Sequence, residues 1–204
     1  MSRFAQLCLL TGAIALSACA DETVAPLDDG VVSYAAALAG SDAVAAVATS
    51  GDDVALYVCG GPTSFETRSR WYLGKRANGE ADIASDDGGT AHVVFSDGEV
   101  TGTVTEPTGA TFDVRLDLMT PGGPGGVYFV IDSGCRTGVV VIDHGNAAEP
   151  TVQGTWCSDH DIFAQVTPIT PIEDDTREIQ VKTIPTDVAP EKTLAVKLAN
   201  PSLF

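Results

Sequence analysis

Short apolar runs alternate with turn residues along most of this chain, at a period that suits strands. The clearest stretch is 110–118, where Phe112, Val114, Leu116 and Leu118 alternate with Asp113, Arg115 and Asp117. A two-residue period sends one set of side chains to a buried face and the other to water. Comparable runs occupy 54–59, 81–85, 90–95, 100–105, 127–132, 137–143, 151–157 and 162–167. The residues between them have turn chemistry. Ser50-Gly51-Asp52-Asp53, Asn78-Gly79, Asp86-Asp87-Gly88-Gly89, Ser96-Asp97-Gly98 and Ser133-Gly134 all tolerate the backbone of a tight reversal.

Three stretches are less regular. Residues 43–48 are rich in alanine, which favours helix, yet the tight turn after them and the following Val-Ala-Leu-Tyr-Val favour a hairpin. Residues 31–40, with Tyr34-Ala-Ala-Ala-Leu38, fit either one or two helical turns or an edge strand. Residues 64–73 carry Phe65, Trp71 and Tyr72 among Thr and Arg, and fit a strand with its arginines outward. About ten strands at short spacing predict an all-β fold. Consecutive tight connections predict an antiparallel meander, an up-and-down barrel or a curved sheet, with a β-sandwich as the alternative. No long 3.6-residue period is present, which argues against alternating strands and helices. The expected organisation is an acidic tether over 19–40, one all-β domain over 41–168, and a Pro-containing, partly ordered tail over 169–204. That tail includes a candidate strand at 193–198.

Charge narrows the class. The chain has 11 Lys and Arg against 28 Asp and Glu, a formal charge of −17. That balance argues against nucleic acid and against electrostatic docking on anionic lipid. The acidic residues are scattered in pairs such as Asp28-Asp29 and Asp52-Asp53, which suits a solvated surface with turn-forming aspartates.

The first eighteen residues have the parts of an export signal. Arg3 is the positive end, and residues 4–16 are apolar and uncharged. That run is shorter than the about 20 residues a membrane helix needs. Leu16-Ser17-Ala18-Cys19 then places two small residues before a cysteine. This resembles the lipobox of bacterial lipoproteins, and the resemblance covers residues 1–19. It implies cleavage before Cys19, acylation of that cysteine, and a membrane partner reached through its acyl chains. Several chains anchor far more firmly than one, each buried CH₂ adding about 0.8 kcal/mol. Ala20, where aspartate would signal inner-membrane retention, leans the expected location towards the outer membrane of a host that has one. Residues 20–30 are polar and acidic and, extended, reach roughly 35–40 Å.

Cys8 leaves with the signal, and Cys59, Cys135 and Cys157 remain beside Cys19. In an oxidising compartment one disulfide and one spare thiol are expected. If 137–143 and 151–157 form a hairpin with Val141 opposite Thr151, Cys135 and Cys157 fall opposite each other to within the register error. Cys135–Cys157 is therefore the expected bridge. Cys59–Cys157 is the alternative, because first and last strands meet when a barrel closes. The cysteine spacings and the dispersed His92, His144 and His160 predict no metal site.

Few residues suggest chemistry. Asp132-Ser133-Gly134 resembles the Asp-(Ser/Thr)-Gly of aspartic proteases and follows an apolar run, as in that family. That chemistry needs two carboxylates sharing a proton, so one copy implies a homodimer. A hairpin turn explains the same residues. Gly154-Thr155-Trp156 is similar to the Gly-x-Trp of lipocalins, but lies near the last strand, whereas in that family it lies on the first. Arg68, Arg70 and Trp71 suggest a cation–π stack, and Asp159-His160-Asp161 a cation site or a polar turn. No phosphate or dinucleotide loop accompanies them. The expectation is a non-catalytic envelope lipoprotein, without cofactor, whose β domain binds a protein or small molecule or serves a structural role. The alternatives are a dimeric hydrolase using Asp132 and an envelope structural protein without ligand.

Overall fold

The computed structural model describes residues 30–145, 149–158, 162–172 and 177–204. The fold is all-β and antiparallel, and its meander closes twice. The first eight strands are β1 (Val31–Ala37), β2 (Val44–Ser50), β3 (Asp53–Cys59), β4 (Arg70–Ala77), β5 (Glu80–Ala84), β6 (Thr90–Ser96), β7 (Glu99–Thr105) and β8 (Thr111–Leu118). Each pairs with the next, and β1 meets β8 through Tyr34↔Leu118 and Ala35↔Asp117. The second set is β9 (Gly126–Asp132), β10 (Cys135–Ile142), β11 (Thr151–Cys157), β12 (Phe163–Pro168), β13 (Glu178–Thr183) and β14 (Thr193–Leu198). It closes through Lys197↔Phe129 and Leu198↔Tyr128.

Two expected boundaries fall inside these sheets. β1 lies within the stretch read as tether, and β13 and β14 within the stretch read as tail. Ile179 and Val181 are buried while Gln180 and Lys182 are exposed, so β13 keeps a strict two-residue period. The surrounding prolines obscured it. β1 is short and alanine-rich, and its place is set by pairing with β2 and with the distant β8. Residues 64–73 also divide: Phe65–Arg68 is a single helical turn (α1) and only Arg70 onward is strand. The approach to that turn is crowded. A Cβ on Gly60 would lie 2.3 Å from the Ser64 carbonyl oxygen, and one on Gly61 would lie 2.2 Å from that of Asp42.

The hairpins follow from the turn residues. Asn78 and Gly79 have φ of 55° and 84°, and Ser133 and Gly134 have 49° and 77°. Positive φ at both central residues is the reversal that matches strand twist. Asp132-Ser133-Gly134 is thus the start of the β9–β10 turn, with Asp132 opposite Cys135.

Three apolar cores result. Val47, Leu56, Tyr72, Val93, Val104 and Leu116 are among the side chains that fill the first barrel. Tyr128, Val139, Val141, Trp156, Val181 and Val196 are among those that fill the second. The third core lies between the barrels, where Val44, Ala46, Ala48, Tyr57 and Cys59 of the first meet Val127, Val140 and Ile142 of the second. β2 and β3 are therefore buried on both faces. This is why residues 43–48 are apolar without alternation, and why so many are alanine: small side chains let two sheets approach.

Candidate functional site

A cleft of about 400 Å³ opens where the two barrels meet. Tyr57, Ser69, Arg70, Trp71 and residues 85–87 form one wall, and Ile131, Gly134, Cys135, Arg136, Thr155, Cys157 and Phe163 the other. Tyr57 faces outward from the first barrel because its neighbours Leu56 and Val58 face its core. Its ring lies against Gly138 of β10, where a Cβ would come 2.4 Å from Tyr57 Cζ. A glycine inside a strand often marks such a close approach. Trp71 packs beside it at 4.6 Å between ring centroids.

A buried hydroxyl cluster joins the walls at the base. Ser69 Oγ and Thr155 Oγ1 are hydrogen-bonded at 2.8 Å, and Cys59 Sγ lies 3.6 Å from Thr155 Oγ1. Gln153 adds a further tie, donating from Nε2 to the Cys59 carbonyl at 2.9 Å. Burial pushes the Tyr57 phenol and the Cys59 thiol above their ordinary ranges, so both stay protonated at neutral pH. A buried, protonated Cys59 is a poor nucleophile.

Two guanidinium groups reach the cleft in different states. Arg70 is engaged: Nη2 donates to the Thr67 carbonyl at 2.8 Å and pairs with Asp87 at 3.2 Å. Arg136 stacks over Phe204 at 4.6 Å and lies 5.9 Å from the Trp71 ring centre. Its backbone carbonyl accepts the Trp71 Nε1 proton at 3.2 Å. Among the described residues Arg136 has no carboxylate partner, and its buried Nε, like that of Arg70, has no hydrogen bond.

The residues singled out from sequence are distributed otherwise. Cys135 and Cys157 stand at disulfide distance, 5.6 Å between Cα atoms. The β10–β11 register is displaced by one residue from the expected one, with Val141 opposite Val152. Cys59 is free and buried. Asp132 is held by Lys192 Nζ at 2.5 and 2.6 Å to its two oxygens, by Trp156 Nε1 at 2.9 Å and by Ser133 Oγ at 3.0 Å. Trp156 belongs to the second barrel's core, as a packed tryptophan whose N–H needs a partner. Arg68 pairs with Glu106 and lies over Phe112. The cation beside Trp71 is Arg136, and not the Arg68 or Arg70 of its own stretch. Cys19, the whole lipobox and Asp159-His160-Asp161 lie outside the described residues.

Neither a protein-family model, nor a curated protein, nor a solved structure matches this chain. Its own geometry defines its class: two closed antiparallel meanders packed side by side, with a cleft at the junction.

Asp132 and Asp42 make a prediction about acid. Partial burial works to raise the Asp132 pKa, but bonds from Lys192, Trp156 and Ser133 together outweigh it and hold the carboxyl below its ordinary 3.8. Asp42 is lowered further, first by the Ser64 hydroxyl and then by the Thr63 hydroxyl and amide. Both stabilise the fold in the ionised form. Their contribution is complete above the unfolded value near 3.8 and is lost as pH falls below it. The urea midpoint is expected to drop between pH 5 and pH 2.5 and to drop less steeply in Asp132→Asn and Asp42→Asn. Parallel curves for wild type and both variants would show that these carboxylates carry none of the slope.

Proposed function

We propose that this chain is a lipid-anchored envelope protein with a non-catalytic role, and that it binds its ligand in the cleft between the barrels. The observation that carries this reading is the contrast between cleft and lumens. Both barrel interiors are packed with apolar side chains. The cleft has the size and the mixed apolar and polar lining of a small-molecule site. The pairing of Asp132 with Lys192 supports binding over hydrolysis, because a shared-proton carboxylate pair needs a second acid at that place.

The anchor rests on Leu16-Ser17-Ala18-Cys19 and the apolar run before it. Residues 20–29 then lead from that cysteine to Gly30, the residue before β1. Replacing Cys19 with alanine is expected to move the protein from the membrane fraction to the soluble fraction. Retention in the membrane fraction would remove the anchor. The cleft is tested by native mass spectrometry of the acylated protein purified from its host. Ile131→Trp, which places a large ring at the cleft wall, is expected to lose the small molecules that travel with wild type. Identical profiles would count against the cleft as the site.

A further inference from the structure

Arg76, over the Phe95 ring, and Arg136 keep aromatic company. Arg68, Arg70, Lys75, Arg115, Lys182, Lys192 and Lys197 each pair with a carboxylate. In a chain this acidic, that is what charge alone would produce. Arg136 instead faces aromatic rings in a cleft, with no carboxylate partner among the described residues. The half-buried guanidinium loses part of its water, which is a cost unless it is paired, and stacking on Phe204 and Trp71 offsets part of that cost.

A second observation lies on the same wall. Ile131 is opposite Arg136 in the β9–β10 register and is 65% exposed, while Phe163 lines the cleft nearby. A large aliphatic side chain open to water beside an unpaired cation describes the two ends of one ligand.

We propose that the cleft takes a small organic carboxylate with a flat apolar body, the carboxylate on Arg136 and the body against Ile131 and Phe163. This rests on the reading of the cleft as the binding site. Several features narrow the class. A single free guanidinium presents the two-pronged fork that fits a carboxylate. The second guanidinium, Arg70, is already held by Asp87 and Thr67, so a multiply charged anion finds no second cation there. Asp86, which also lines the cleft, disfavours a ligand of higher negative charge more than a single carboxylate. The volume of about 400 Å³ limits the ligand to a small molecule.

The test uses the full acylated protein in neutral detergent, labelled at isoleucine methyls, with benzoate, benzamide, benzylammonium and acetate as probes. Benzoate is expected to shift the Ile131 resonance saturably, with benzamide and benzylammonium weaker by about tenfold or more. Arg136→Gln is expected to weaken benzoate by a similar factor. Ile131→Ser, at an exposed position and read by calorimetric titration because it removes the reporting methyls, is expected to weaken benzoate but leave acetate nearly unchanged. If Arg136→Gln does not fold, Arg136→Lys replaces it and is expected to bind benzoate several-fold more weakly, because the fork is gone. Benzamide or benzylammonium binding as well as benzoate would overturn the carboxylate class and leave the cleft standing as a site. Unchanged benzoate affinity in a folded Arg136 variant would overturn the role of Arg136. If none of the probes moves Ile131, the carboxylate class and the cleft reading fall together.

Discussion

Replacing Tyr57 with alanine is expected to lower stability by about 4 kcal/mol, the usual cost of deleting a large buried aromatic side chain. Tyr57 is 2% exposed, and it is the largest fully buried side chain that the first barrel sends into the inter-barrel core. Its ring packs on Trp71 and fills the space left by the missing side chain of Gly138. Because the opposing residue is glycine, nothing from β10 can swing in to fill the hole. Tyr57→Phe keeps the ring and loses only the hydroxyl near Ser69, Thr155 and Cys59, at about 1 kcal/mol. Gly138→Ala alone should also destabilise, since its Cβ would strike the Tyr57 ring. The two changes share one space, so Gly138→Ala should cost much less in the Tyr57→Ala background. Urea denaturation of the four proteins measures this. Strict additivity, or a Tyr57→Ala cost below about 1 kcal/mol, would mean that the ring does not hold the barrels together.

The second large effect concerns Cys135 and Cys157. They lie 22 residues apart in sequence, and closing a loop of that size in the unfolded chain is worth about 3 kcal/mol. Replacing both by serine in the exported protein is expected to cost that amount. The loss should be concentrated in the second barrel, because the pair ties β10 to β11 beside the β9–β10 turn. Amide exchange should therefore rise in β9–β12 before it rises in β5–β8. Peptide mapping without reduction should recover Cys135 joined to Cys157 and Cys59 as a free thiol. A cross-link containing Cys59 would refute the pairing.

The cysteine pairing shows how far local pattern reaches. A hairpin between 137–143 and 151–157 was readable from apolar runs and turn residues, and it brings the two cysteines together even with a register displaced by one residue. The Asn78-Gly79 and Ser133-Gly134 reversals were equally local, since their backbone preference lies in those residues. Two strands were harder to read for a different reason. β1 and β13 gain their identity from partners, so the alanine-rich 31–40 fitted either helical turns or an edge strand, and the segment among prolines read as tail.

The cleft was hardly legible at all. Arg136 and Tyr57 are 79 positions apart in the numbering and occupy different barrels. Arg136 was one charged residue among many, and its stacking on Phe204 and Trp71 is a property of three-dimensional neighbours. Arg70, Trp71, Cys135 and Cys157 drew notice for other reasons and line the cleft, and Gly138, a glycine inside an apolar strand, marks the place where Tyr57 approaches.

The sequence by itself determined that this protein is built of antiparallel hairpins, because a two-residue period and tight-turn residues depend on nearest neighbours along the chain. It also carried the lipobox resemblance, which is a linear motif. The tertiary structure alone decided that the meander closes into two barrels instead of one, because closure depends on Tyr34 meeting Leu118 and Phe129 meeting Lys197 across long separations. It alone decided that β2 and β3 are buried on both faces and that Arg136 stacks on Phe204. Burial and charge pairing are sums over spatial neighbours, and no window along the chain contains them.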